Sequence, residues 1–124
     1  MIMIKKIEHT IKKYHLLEKG DNVVVALSGG ADSCALLWCL VKLSDEYGLE
    51  LVAAHFNHGL RQEQSDEDEV FCRSLAQKFG VVFLTQKMLD PSVPRGVSPE
   101  DYFRRERYRF LDRVAADRKA NKIA

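Results

Sequence analysis

The sequence predicts an open α/β sheet wound on both faces, and three observations carry that prediction. Val23 to Leu27 and Leu49 to Phe56, the latter with Glu50 and His55 among its apolar residues, are runs of strand length of the kind buried on both faces of a parallel sheet. A long apolar helix pattern, Cys34 to Leu43, lies between them and completes a βαβ unit. A glycine pair, Gly29-Gly30, marks the junction where the first strand gives way to that helix. Sheets of this class hold their ligands beyond the carboxyl ends of the strands.

The other elements follow in chain order. Ile4, Ile7, Ile11 and Tyr14 recur at three and four residues between lysines, so residues 1–21 read as an amphipathic helix and its exit, ending near Glu18-Lys19-Gly20-Asp21 and packing beside the sheet. After the second strand, Ser65 and Asp68 stand at capping-box spacing and announce a helix. That helix turns Phe71, Leu75, Ala76 and Phe79 inward and stops at Gly80. Val81 to Thr85 supplies a third strand, and Lys87 to Val97, with Pro91, Pro94 and Gly96, reads as a mobile loop. Ser98 and Pro99 open a further helix as N-cap and first helical residue. Asn121 to Ala124 has the character of a fourth strand cut off after it begins.

Size and composition limit the function. With 124 residues, 46% of them hydrophobic and 30% charged, the chain suffices for one domain and not for two. Cys34 to Val41, the longest apolar stretch, is far below the roughly 20 residues of a membrane span, and Met1 to Lys6 is no signal peptide. The expected location is cytoplasmic, with no membrane partner. Cys34, Cys39 and Cys72 form an odd set without a CxxC pair, so a disulfide framework and a cysteine-zinc site are not indicated. Their expected role is that of small buried apolar residues. A net charge of +1 carries no global nucleic-acid signature.

The chemistry concentrates in three places. At Ser28-Gly29-Gly30-Ala31-Asp32-Ser33 two glycines let the backbone approach an anion, two hydroxyls add donors, and the next helix aims its positive end at the same spot. The spacing is neither GxxxxGK[ST] nor GxGxxG. A purely structural turn capped by Asp32 or Ser33 is the alternative. His55-Phe56-Asn57-His58-Gly59-Leu60-Arg61 brings two imidazoles, an amide and a guanidinium to the same edge. His55 and Asn57 can hydrogen-bond a purine and Arg61 can grip a phosphate; an exposed turn closed by Asn57 and Gly59 is the plainer reading. Zinc at His55 and His58 lacks a third ligand at suitable spacing.

In the helix after Ser98, Phe103, Arg107, Phe110, Leu111 and Val114 share one arc that also takes in Arg104 and Tyr108. Two arginines thereby fall on the side expected to be buried, where each must be paired or face a ligand. An arginine snorkelling at the arc edge is the alternative. Arg105, Glu106, Arg109, Asp112 and Arg113 form the opposite, solvated arc.

The string Ser28 to Ser33 resembles the pyrophosphate loop, SGGxDS, of the ATP pyrophosphatases, which cleave ATP between the α- and β-phosphates and adenylate a substrate. The segments from His55 to Arg61, Ser65 to Glu69 and Arg104 to Tyr108 are similar to the NHGLR, SDEDE and R-x-x-R-Y segments of the tRNA(Ile)-lysidine synthetases, and the likeness runs from about Val23 to Ala124. The resemblance implies a Rossmann-like sheet of the adenine nucleotide α-hydrolase type. It implies ATP and Mg²⁺ as cofactors, L-lysine and an isoleucine tRNA with a CAU anticodon as substrates, and lysidine at the wobble cytidine as product. Ser28, Gly29, Gly30, Ala31, Asp32 and Ser33 are then expected to hold the phosphates, with His55, Asn57 and Arg61 also at the nucleotide. Asp32, Arg104 and Arg107 are the expected catalytic residues, Asp32 also as the Mg²⁺ ligand. Asp66 to Glu69 reads either as an attraction for the lysine substrate or as a charged first helical turn.

In that family the strand begun at Ile123 continues into a histidine- and aspartate-rich segment, HHxDDxxET, so residues 22–124 are expected to be the N-terminal portion of the ATP-binding domain. Two rivals remain. A tRNA-thiolating relative would use paired cysteines, which Cys34 and Cys39 within one apolar helix fit poorly, and a non-catalytic nucleotide-binding module would carry its glycine motif later in the chain.

Overall fold

The structure is a computed structural model that describes residues 2–59, 62–88 and 92–124. Its strands are β1 (Asn22–Ala26), β2 (Glu50–Asn57), β3 (Val82–Lys87) and β4 (Lys122–Ile123), and its helices are α1 (Ile2–Lys13), α2 (Ala31–Tyr47), α3 (Gln62–Phe79) and α4 (Pro99–Asp117). The strands form one sheet in the order β3-β2-β1-β4, with every pairing parallel. Val23 stands opposite Leu51 on one side and Lys122 on the other, so β1 is the central strand about which the order reverses.

Alternation along β1 builds two cores. Val23, Val25 and Leu27 face one way and pack with Leu37, Leu40 and Leu43 of α2, Cys72 and Ala76 of α3, and Ile11 of α1. Val24 faces the other way, with Val52 and Ala54, against Phe110, Leu111 and Val114 of α4. A strand buried on both faces needs an apolar residue at every position, which is why β1 reads as an unbroken run. α2 and α3 therefore cover one face and α4 the other. The change of face between α2 and α4 opens a crevice above the carboxyl ends of β1 and β4.

Several expectations need correction. α1 ends at Lys13, so Tyr14 leaves the helix and is 62% exposed rather than part of the apolar arc; Ile7 and Ile11 do turn inward, and the Ile4 side chain lies outside the described residues. α1 reaches the core by lying on α2. α3 has begun by Gln62, so Ser65 is a buried position within its first turns and not the N-cap. Its inward arc holds Ser65, Cys72, Ala76 and Phe79, spaced at seven, four and three, and this rotates Phe71 out to 50% exposure. α2 starts at Ala31 instead of Cys34, which puts Asp32 and Ser33 in its first turn. β3 runs on through Lys87, and Pro91 lies outside the described residues. Ser98 does cap α4, accepting the Asp101 N–H at 3.2 Å, with Pro99 at the first helical position. No helix among the described residues is long and apolar enough to cross a membrane.

Candidate functional site

A cleft of about 890 Å³ occupies the crevice, with Leu27 and Ser28 at its floor, His55 and Asn57 on one wall and Arg104 and Arg107 on another. That volume lies within the range of small-molecule sites. The floor is the turn from β1 into α2. There the Ser33 hydroxyl donates to the Gly30 carbonyl at 3.1 Å, and its oxygen accepts the Ser28 N–H at 3.1 Å. With the Ser33 proton so committed, the Ser28 hydroxyl donates to Ser33 Oγ at 3.0 Å while accepting the Gly30 N–H at 3.2 Å. These bonds hold the loop in one shape without ligand. Gly29 adopts φ +89, a conformation that L side chains rarely take, and a Cβ there would also touch the Asp68 carboxylate at 3.6 to 3.7 Å.

The two helix starts differ. α4 is capped by the Ser98 side chain, whereas α2 begins at Gly30 in extended conformation with no side-chain cap. The positive end of α2, without a side-chain cap, therefore lies two residues beyond Ser28 at the cleft floor, an arrangement suited to an anion.

The walls are built by the ends of β2 and α4. The His55 ring is buried, and its Nδ1 lies 2.7 Å from the Leu27 carbonyl oxygen, which can only accept, so Nδ1 carries the hydrogen. The Cys72 thiol reaches the same carbonyl at 3.9 Å, and together they fix the residue that leads into Ser28. In the neutral ring Nε2 is then an acceptor, and it is buried without a partner among the described residues. Asn57 is 2% exposed; its Nδ2 donates to Asp66 at 3.0 Å and Glu69 at 3.4 Å, and its Oδ1 accepts the Gly59 N–H at 3.0 Å. The bond from Asn57 and the nearby Lys87 ammonium hold the Asp66 carboxyl below its ordinary range.

Arg104 and Arg107 do reach the cleft, but they are exposed and not buried as the helix pattern predicts. The first turns of α4 border the cleft, so this arc meets solvent-filled space until Phe110, and the guanidiniums keep their hydration. Arg104 pairs with Asp101 at 2.9 Å, and Arg107 lies 5.6 Å from the centre of the Tyr108 ring. On the opposite arc Arg109 pairs with Glu106 at 3.0 Å, and Arg113 donates to Gln86 at 2.8 Å. Arg61 lies outside the described residues. Asp68, read from the sequence only as part of a capping box and of the acidic run Asp66 to Glu69, lines the cleft beside Gly29, a neighbour made by folding across about 40 positions.

Thiol chemistry finds no support here. Burial pushes the Cys72 thiol up to about 12 and raises Cys34 and Cys39 as well, so all three stay protonated at neutral pH. Among the described residues no group of three or more His, Cys, Asp or Glu side chains is gathered to hold a metal ion.

Comparison with known proteins agrees with this geometry. The tRNA(Ile)-lysidine synthase of Persephonella marina is 40% identical over 97% of this chain and 27% of its own length. The synthases of Geobacter sulfurreducens and Clostridioides difficile are 42% and 34% identical over 98% and 99% of the chain. The chain thus spans about a quarter of the length of the curated relatives it matches. In fold it is similar to a tRNA thiolase of Methanococcus maripaludis, with a TM-score of 0.80 over 98% of this chain and 44% of that one, at 20% identity. The PP-loop domain model matches residues 2–124, and with the Ser28–Ser33 loop set at the uncapped start of α2, the chain belongs to the PP-loop family of ATP-binding domains.

Proposed function

We propose that this chain is the N-terminal part of the ATP-binding domain of an enzyme that ligates lysine to the wobble cytidine of an isoleucine tRNA with a CAU anticodon. The observation that carries the reading is the loop of Ser28, Gly29, Gly30 and Ser33 at the uncapped N-terminus of α2, opening into a cleft of nucleotide size. Its support at the level of the whole reaction is 33–42% identity to tRNA(Ile)-lysidine synthases along nearly the entire chain.

In this reading ATP adenylates the C2 oxygen of cytosine, the lysine amine displaces AMP, and pyrophosphate departs. Negative charge grows on the departing pyrophosphate, and in this reading the N–H groups at the α2 start meet it, with the Ser28 and Ser33 hydroxyls exchanging their bonds within the loop for bonds to phosphate. Arg104 and Arg107 swing to the phosphates from the cleft wall, Arg104 exchanging its Asp101 partner for a phosphate. Mg²⁺, when bound, would supply further neutralisation, and Asp32 in the first turn of α2 and Asp68 beside Gly29 are the carboxylates that would hold it. His55 fixes the loop through Leu27.

The test is release of AMP and pyrophosphate from α-labelled ATP with Mg²⁺, lysine and unmodified isoleucine tRNA. It uses this chain alone and this chain joined to the remaining three quarters of a curated relative. Release that needs both tRNA and lysine, and is lost in Asp32→Ala, upholds the synthase reading. ATP binding without cleavage in either protein overturns it in favour of a binding module.

A further inference from the structure

Asn57 closes β2 at the cleft, and its amide is consumed by the protein itself. Both Nδ2 hydrogens are taken, by Asp66 and Glu69, so neither is left for a purine without breaking a bond to a carboxylate. Its Oδ1 holds the Gly59 N–H in a turn where Gly59 takes φ +69. Glu69 Oε1 in turn accepts the Thr85 hydroxyl at 3.0 Å, and Lys87 reaches Asp66 at 3.4 Å. The buried Asn57 amide of β2 thus bonds two carboxylates of α3, and these in turn bond Thr85 and Lys87 of β3. Such a set is costly to bury unless every member is satisfied, and when satisfied it fixes a single geometry.

We propose that Glu69 is a positioning residue for the nucleotide: through Asn57 it sets the His58–Gly59 turn at the cleft, and the turn, rather than the Asn57 side chain, meets the ligand. This rests on the reading of the cleft as a nucleotide site. It also gives part of the acidic run a role other than attracting lysine. Glu69 turns to Asn57 and Thr85, and Asp66, itself exposed, bonds Asn57 and Lys87.

The experiment uses the ¹⁵N-labelled chain with Mg²⁺-ATP as probe, reading the exchange rate of the Gly59 amide without nucleotide and the ATP affinity in the same samples. Glu69→Ala is expected to speed Gly59 exchange and weaken ATP binding about tenfold, the loss of bonds to one charged acceptor. Glu69→Gln keeps the accepting oxygen and is expected to restore both within about twofold. Should Glu69→Ala fail to fold, as read by its melting curve, Thr85→Val removes the hydroxyl that orients Glu69 and is expected to move both readouts about threefold. Unchanged ATP affinity with faster Gly59 exchange overturns the proposal, as does unchanged exchange. Absence of ATP binding by the wild-type chain overturns the nucleotide reading instead, and Gly59 exchange then decides by itself whether Glu69 sets the turn.

Discussion

The two ends of the sheet are finished in opposite ways. At the amino end, Asp21 is 4% exposed and saturated: it accepts the Glu18 N–H at 2.8 Å and Asn121 Nδ2 at 2.8 Å, and it pairs with Lys122 at 2.7 Å. Asn22 next to it donates to the Arg118 carbonyl and takes Asn121 Oδ1 on its N–H. At the carboxyl end the α2 start lacks a side-chain cap, His55 Nε2 has no partner among the described residues, and Arg104 and Arg107 are exposed to solvent. One end uses its polar groups to tie β4 to β1, while the other leaves the α2 start uncapped and the arginines of the cleft wall exposed. Stability and binding are therefore separable by position in this chain.

The sharpest way to break this comparison is Asp21→Ala. It removes the carboxylate partner of a partly buried ammonium, which keeps only the Leu16 carbonyl, and the acceptor of two further donors; it is expected to cost about 3 kcal/mol, roughly 10 °C in melting temperature by calorimetry, with ATP affinity of the folded protein unchanged. Equal loss of stability and affinity would show that the ends are coupled.

Acid offers the same test without mutation. The Glu18 N–H and the Lys122 and Asn121 side chains lower the Asp21 carboxyl from 3.8 to about 2. A group depressed in the folded state gives stability that is complete above the unfolded value and lost as pH falls through the folded one. Unfolding free energy is therefore expected to fall by about 2 kcal/mol between about pH 4 and 2, and Asp21→Asn is expected to flatten that fall in urea titrations.

At the carboxyl end the ranking reverses. Ser33→Ala removes the hub of the loop and is expected to weaken ATP about tenfold in isothermal titration, while changing stability by less than about 1 kcal/mol. Arg104→Ala is the smallest effect. Its ion pair with Asp101 is exposed, so melting is expected to move by no more than about 0.5 kcal/mol, with a several-fold loss of ATP affinity.

The sequence carried much of this and missed the rest for physical reasons. β1 and β2 were legible because burial on both faces leaves a mostly apolar run, and the Ser28–Ser33 loop because its bonds join residues two to five positions apart. Tertiary choices were not. Phe71 and Cys72 are adjacent and both apolar, and only packing on the sheet decides which one turns inward. Arg104 and Phe110 share an arc, yet the arc passes from open cleft to sheet between them. The carboxylates beside Asn57 and Gly29 come from α3, and Asn121 and Lys122, which hold Asp21, from about 100 residues away.

The most direct test of the central claim is a titration of the ¹⁵N-labelled chain with Mg²⁺-ATP, following every backbone amide. The account predicts saturable shifts at Gly29 to Ser33 and the His58–Gly59 turn, with Asp21, Asn22 and Asn121 unmoved. Shifts centred on the amino end, or none at Gly29 to Ser33 while ATP binds, would contradict it.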